Sequence, residues 1–421
     1  METSPITYGP ELERSYITAG LDYYKPTMSQ LAHEVEPEAV VTFTFKNRGE
    51  QRLADYVDPD HLQERFDTIR DRGFNEAELT YLGGLTNSRG EAVFQPGYID
   101  HLRGATLPEV IVELQDDDIA VHTQGTWSLA TFWETVVMSE INEAYFEAYV
   151  EKNGLDLWDV YEEGNGRLSE KIAFLQAHPD IKIADFGTRR HFSHRWQRHV
   201  LERLIAECPD NMIGTSNVAF AQTLDMKPIG TFAHEMPMAY AGLADSRGEA
   251  IRDSHARMLT DWYERYGTDL SIALTDTFST DFFFEDFTAE QAQAWRGLRH
   301  DSGDPVAFGE KAIAFYETCG IDPKEKTIVF SDGLTIEEIA RLHAHFSKRV
   351  GVVFGWGTTL TNDLGLKPLN VVMKATNING ADTVKLSDNP GKHTGPEAMI
   401  SIYQRTFNTG GTNNEQLTAV A

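Results

Sequence analysis

Cysteine is nearly absent from this 421-residue chain: Cys208 and Cys319 stand far apart and without metal-ligand spacing. A disulfide framework and a cysteine-based zinc site are therefore excluded, and a reducing, cytoplasmic compartment is expected. Basic residues are also few, with 37 Lys and Arg against 65 Asp and Glu and a net charge of −28. Nucleic-acid binding needs a broad cationic surface to displace phosphate counterions, so that function class is set aside. No uninterrupted apolar run approaches the ~18 residues of a membrane span, and the opening METSPITYGPELERSYITAG lacks a signal-peptide core. No membrane association is expected.

Several active-site signatures are missing as well. His234-Glu235 is followed by Met238 where a zinc-protease helix carries its second histidine, and His343 and His345 lack ligand partners at metal-site spacing. Gly355-Trp356-Gly357 continues into Thr358-Thr359-Leu360 without the third glycine of a dinucleotide fingerprint, and no G-x-x-x-x-G-K-[ST] loop occurs. Any nucleotide must be held differently. There is no internal repeat and no long low-complexity segment.

What is present is a series of short apolar or β-branched runs, each closing on small, polar or charged residues. They are IKIADFGTRR (181–190), NMIGTSNVA (211–219), KPIGTFAHE (227–235), SIALTDTFST (271–280), GLRHDSGDP (297–305), TIVFSDG (327–333) and GVVFGWGTT (351–359). Helical patterns lie between most of them. Asp304 with Pro305 marks a helix start, Thr335 with Glu338 and Thr288 with Gln291 have capping-box spacing, and Ile336, Ile339, Ala340, Leu342 and Phe346 follow at helical intervals. Alternation with chemistry after the strands predicts an α/β fold, a parallel TIM-like irregular barrel with its site at the strand ends. Periodicity alone leaves an open doubly wound sheet as the competitor.

A single core stops growing near ~300 residues, so a second domain is expected. Residues 136–364 read as the barrel. Residues 1–135, with strands at AVVTFTFK (39–46) and EVIVEL (109–114) and a polar loop over 86–97, read as an α+β domain completed by 365–421, where strand-like segments return at 368–375 and 382–387. The polar tail over 408–416 reads as loose. Between Arg189 and Arg203 lies a basic island opposed only by Glu202. Beyond Ser193 it reads as a solvated helix face, whereas Arg189 and Arg190, directly after a strand end, suit a small anionic ligand. His234, at the mouth of an apolar run, can shuttle protons or carry a phosphoryl group.

Taken together, Leu21-Asp22-Tyr23-Tyr24-Lys25, Asp185-Phe186-Gly187-Thr188-Arg189-Arg190, Gly214-Thr215-Ser216-Asn217, Gly230-Thr231 with Ala233-His234-Glu235, Arg299 to Pro305, Phe330-Ser331-Asp332 and Lys385-Leu386-Ser387-Asp388 with Pro390-Gly391-Lys392 resemble bacterial nicotinate phosphoribosyltransferases, in the same order. The resemblance covers nearly the full length and is sparse over about 47–120 and 155–180. One departure is Met236-Pro237, where family members often carry Trp after His-Glu.

The resemblance implies an enzyme joining nicotinate to 5-phosphoribosyl 1-pyrophosphate (PRPP), with ATP hydrolysis coupled to the transfer and Mg2+ accompanying pyrophosphate and ATP. It implies His234 as the phosphohistidine and Asp301 as the partner of the ribose hydroxyls. Phe186 would stack on the pyridine ring, and Arg189 or Arg299 would meet its carboxylate. Gly357 and Thr358 would cradle the 5-phosphate, Asp332 would orient pyrophosphate or sugar, and Lys385 and Lys392 would contact phosphate. No residue of the chain itself is assigned as a metal ligand. Tyr24 would close the site of a neighbouring subunit in a homodimer with shared active sites. Nicotinamide-preferring relatives place an aspartate where this chain has Ser216-Asn217, which favours nicotinate here. A quinolinate-type transferase would not keep the Gly-Thr-x-Ala-His-Glu segment, and a non-catalytic ligand-binding barrel is the reading from another class.

Overall fold

Residues 16–407 are described by a computed structural model of the chain; the tail over 408–416 lies outside the described residues. The strand-like runs of the N-terminal third and the C-terminal segment meet in one antiparallel sheet. Its strands are β1 (Val40–Asn47), β2 (Val110–Gln115), β3 (Asp118–Thr126), β10 (Val371–Ile378) and β11 (Ala381–Asp382), in the order β11-β10-β1-β3-β2. Val41, Phe43 and Phe45 of β1 point inward at the two-residue period of a pleated strand. Both tight hairpins are turned by residues with positive φ, Asp116-Asp117 between β2 and β3 and Asn379-Gly380 between β10 and β11. That geometry matches the strand twist.

The runs between 181 and 356 form a parallel sheet: β4 (Ile183–Asp185), β5 (Met212–Thr215), β6 (Ile272–Leu274), β7 (Gly297–His300), β8 (Thr327–Phe330) and β9 (Gly351–Trp356), ordered β5-β4-β9-β8-β7-β6. The sheet is open, and this differs from the closed barrel expected. The gap between β5 and β6 faces residues 227–235, which form no strand. Toward β5 they make an isolated bridge, Thr215 to Pro228, and toward β6 a side-chain bond, Thr231 Oγ1 to Ile272 O at 2.9 Å. Pro228 has no N–H to donate, and Gly230 has φ 158°, so a continuous ladder cannot form there.

The helix Trp133–Lys152 packs against β10 and the turn after β4, and its first half is buried on every side. One continuous apolar core spans both sheets. A smaller cluster of Phe278, Phe282, Val384, Leu386, Tyr403 and Phe407 pins the C-terminal segment to the chain following β6. Phe278 and Phe407 stack there at 4.0 Å. That packing carries Lys385 to the ends of the parallel strands.

Candidate active site

The carboxyl ends of the parallel strands, the segment before His234 and the C-terminal segment converge on one imidazole. His234 is 4 % exposed and directly precedes the helix Glu235–Ser246. Its Nδ1 lies 2.9 Å from Thr277 Oγ1, and its Nε2 lies 3.0 Å from Asp301 Oδ2, 2.8 Å from Lys385 Nζ and 3.8 Å from Asp276 Oδ1. Burial and the adjacent Lys385 push its pKa down to about 4, outweighing both carboxylates. The ring is neutral at pH 7 and keeps a lone pair.

The surrounding groups are held in turn. Asp301 Oδ1 accepts from Ser331 Oγ at 2.9 Å, and hydrogen bonding from His234 with the charge of Arg299 keeps its carboxyl well below the usual range despite burial. Asp276 Oδ2 accepts from Ser302 Oγ at 2.5 Å. Thr277 O accepts the Leu386 and Ser387 amides, which fixes Lys385 beside the ring. Lys385 is 7 % exposed, so the default of an exposed lysine does not hold. Lys392 Nζ pairs with Asp332 Oδ2 at 3.0 Å, while the cap after Ser331 is Thr335 and not Asp332.

A second wall lies beside it. Asp22 bridges Asn217, Tyr23 N donates to Ser216 O at 2.6 Å and Val218 N to Leu21 O at 2.9 Å. This pairing draws Tyr24 into the site of its own chain, against Arg189, whose guanidinium sits 5.7 Å from the Tyr24 ring centre. Within one chain Tyr24 therefore already lies beside Arg189, the neighbour expected of it across a subunit interface. A Cβ on Gly230 would lie 3.1 Å from Tyr24 N, a tight contact, and the φ of 158° there disfavours a side chain as well. Arg189 also pairs with Asp22 Oδ2 at 3.4 Å, and Ser216 Oγ donates to Asp22 Oδ1 at 2.6 Å. Arg299 makes no ion pair among the described residues. Phe186 is half-buried and outside the apolar core, and its ring covers Gly355 so closely that a Cβ there would lie 2.4 Å from it. Gly357 and Thr358 follow β9 at the adjoining strand end.

In the remainder of the basic island the half-buried Arg198 pairs with Glu202 and Arg203 with Glu207, whereas His194, read as part of a solvated face, is buried and stacks on Phe220. Three residues that sequence reasoning did not single out belong to the site: Asp22, Asp276 and Thr277. The last two sit in the Thr-Asp-Thr end of SIALTDTFST, a strand-end signal that was visible but not specific. Ligand atoms of His234, Asp276 and Asp301 lie within 4.8 Å of one another, close enough to share a cation, although no metal ligand was assigned in advance. Tyr24 Oη, Arg299 Nε and Asp276 Oδ1 are buried without a hydrogen-bond partner among the described residues. Each such group costs about 1–3 kcal/mol, which a bound ligand can recover.

Among the described residues no helix is long and apolar enough to cross a membrane. The sequence model of the nicotinate phosphoribosyltransferase (NAPRTase) family matches residues 181–411, and that of its N-terminal domain matches residues 21–142. The chain is similar to nicotinate phosphoribosyltransferase from Porphyromonas gingivalis, with 30% identity, a TM-score of 0.82 and coverage of 93% of this chain and 99% of that one. The Vibrio cholerae enzyme gives 30% identity, a TM-score of 0.81 and 93% of both chains. A putative nicotinate phosphoribosyltransferase from Saccharomyces cerevisiae gives 26% identity, a TM-score of 0.79 and coverage of 93% of this chain and 97% of that one. With a buried histidine between carboxylates at the strand ends and family matches over most of its length, the chain belongs to the nicotinate phosphoribosyltransferase family.

Proposed function

We propose that this protein makes nicotinate mononucleotide and pyrophosphate from nicotinate and PRPP, coupled to ATP hydrolysis through phosphorylation of His234, in NAD salvage. The observation that carries the reading is the neutral, buried His234 held by Thr277, Asp301 and Lys385 beside a wall of Tyr24, Phe186, Arg189 and Ser216.

Nicotinate would lie along that wall with its carboxylate toward Arg299 or Arg189. Arg299 is the better donor, because Arg189 is already engaged by Asp22. The pyridine nitrogen gives its lone pair to the anomeric carbon as the C1–O bond breaks, and diphosphate leaves with that bond's electrons. Asp301 holds the ribose hydroxyls, Gly357 and Thr358 donate to the 5-phosphate, and Lys385, Lys392 and Asp332 orient the leaving group. Asp276 and Asp301 offer the hard oxygen ligands magnesium prefers, and Asp276 Oδ1 lacks another partner. Magnesium, when bound with pyrophosphate, would supply neutralisation of the leaving group's charge. In the ATP half-reaction a His234 ring nitrogen attacks the γ-phosphorus, ADP leaves with the broken P–O bond's electrons, and water later takes the phosphoryl group.

In this reading residues 227–235 complete an irregular barrel, and the 1–135 and 365–421 segments form the second domain. The enzyme works in the cytoplasm as a homodimer whose chains each use their own Tyr24. Purified protein supplied with PRPP, magnesium and ATP is assayed with nicotinate, nicotinamide and quinolinate in parallel. Nicotinate mononucleotide is the expected product; turnover of another pyridine in its place, or of none, overturns the proposal.

A further inference from the structure

Asp185 ends β4 one residue before Phe186 and is fully buried. Its carboxylate accepts three hydrogen bonds: Gly187 N–H at 2.8 Å on Oδ1, and Thr215 Oγ1 at 2.7 Å and Gln197 Nε2 at 2.8 Å on Oδ2. The amide of Gln197 is itself oriented from behind. Its Oε1 can only accept, so His191 Nδ1, 2.7 Å away, must donate to it. Ser139 Oγ lies 3.2 Å from His191 Nε2 and closes the chain of buried groups.

The main chain at the same point ties both sides of the second wall together. Asp185 O accepts Ser216 N at 2.8 Å, and Phe186 N donates to Trp356 O at 2.9 Å. Through Gly187 the carboxylate holds the turn that carries Phe186 and Arg189, and through Thr215 it holds the strand end that carries Ser216. Burial raises the Asp185 pKa to about 6. A carboxylate kept dry against that penalty needs a reason, and three converging donors supply one that an amide cannot match: an asparagine here would turn an N–H toward another donor. Gln197 can invert to accept from it only if His191 changes tautomer as well, so that Nδ1 accepts and Nε2 donates to Ser139.

We propose that Asp185 is a positioning residue for the pyridine wall: it locks Phe186 and Arg189 in register with Ser216, and the His191–Gln197 pair holds it in place. This rests on the reading that the wall takes nicotinate. A fractional displacement of such a wall weakens binding of the ring while leaving the phosphate and ribose contacts of Asp301, Gly357 and Thr358 in place.

The test is Asp185→Asn, with KM and kcat measured for both substrates and nicotinate binding measured by calorimetry without PRPP. A rise of roughly tenfold or more in KM and Kd for nicotinate is expected, with KM for PRPP within about twofold of wild type. Gln197→Met, which keeps the carboxylate but removes one donor, gives a smaller change in the same direction and replaces Asp185→Asn if that variant does not fold. A nicotinate Kd unchanged in folded variant protein overturns the proposal, and so do KM values for both substrates rising alike, which would mean general loosening. Should the wild type turn over a different pyridine, the functional reading fails separately, and the same comparison with that pyridine still decides the role of Asp185.

Discussion

Lys25 is fully buried, with its ammonium 2.5 Å from Glu134 Oε2, 2.5 Å from Glu235 Oε2 and 3.3 Å from Thr131 Oγ1. Glu134 also meets Lys374 at 3.1 Å, and Glu235 also accepts from Trp127 Nε1 at 2.7 Å and Thr131 Oγ1 at 3.0 Å. Two lysines and two glutamates therefore balance inside the protein. Replacing Lys25 with Met leaves Glu134 one ammonium and Glu235 none. Removing one partner of a buried pair costs about 3–5 kcal/mol, a large part of the ~5–15 kcal/mol that stabilises a typical protein. Lys25→Met is expected to lose that amount at pH 8 in urea denaturation. Less is lost near pH 5, because a stranded carboxylate has a raised pKa, so stability present at low pH is lost as pH rises through it. Glu235→Gln combined with Lys25→Met should cost less than the sum of the single changes. Since Glu235 directly follows His234, phosphorylation of the histidine should fall along with stability. A loss below about 1 kcal/mol at pH 8, with additive single changes, would refute the claim that a buried charge network anchors the His234 helix.

Ser216→Asp puts a carboxylate in the position of the hydroxyl now 2.6 Å from Asp22; at an effective dielectric near 20 the repulsion is roughly 3–5 kcal/mol. Competition binding should show nicotinate weakened more than nicotinamide and Asp22→Asn restoring stability, and an unchanged preference would separate Ser216 from the ring. His234→Ala should fold and retain weak ATP-independent transfer, with labelled ATP leaving acid-labile phosphate on the native protein alone; equal labelling of both removes His234 from the mechanism. The His234 pKa of about 4 is depressed, so wild-type stability should fall as pH drops from about 6.5 toward 4. His234→Ala should flatten that slope in thermal melts, and identical slopes would contradict a buried neutral ring. Because Tyr24 packs beside Arg189 of its own chain, a hybrid of Tyr24→Ala and Asp301→Ala chains should stay inactive; recovered activity after demonstrated subunit exchange would show a shared site.

Features governed by neighbours a few residues apart were legible in the sequence. Asp304 caps the Pro305–Thr318 helix through Val306 N and Ala307 N, and Thr288 with Gln291 completes a reciprocal capping box. Thr335 accepts from Glu338 N, but the Glu338 carboxylate turns instead to Arg341, so only half of that box forms. The alternation of β1 and the polar strand ends could be read for the same reason, since backbone geometry within a segment sets them. The motif residues Phe186, Arg189, Ser216, His234, Asp301 and Lys385 could be named, but not their distances. Tertiary structure alone decided what depends on segments far apart in the chain. It paired residues 21–23 with 216–218, which set Tyr24 beside Arg189 of the same chain, and it left the parallel sheet open beside Pro228. Nothing local to Lys25 shows that it is buried, or that Glu134 and Glu235, over a hundred and over two hundred residues away, neutralise it. Asp276 and Asp185 were hidden for the same reason: a carboxylate's role is set by the donors and charges that folding brings to it, and those come from other strands.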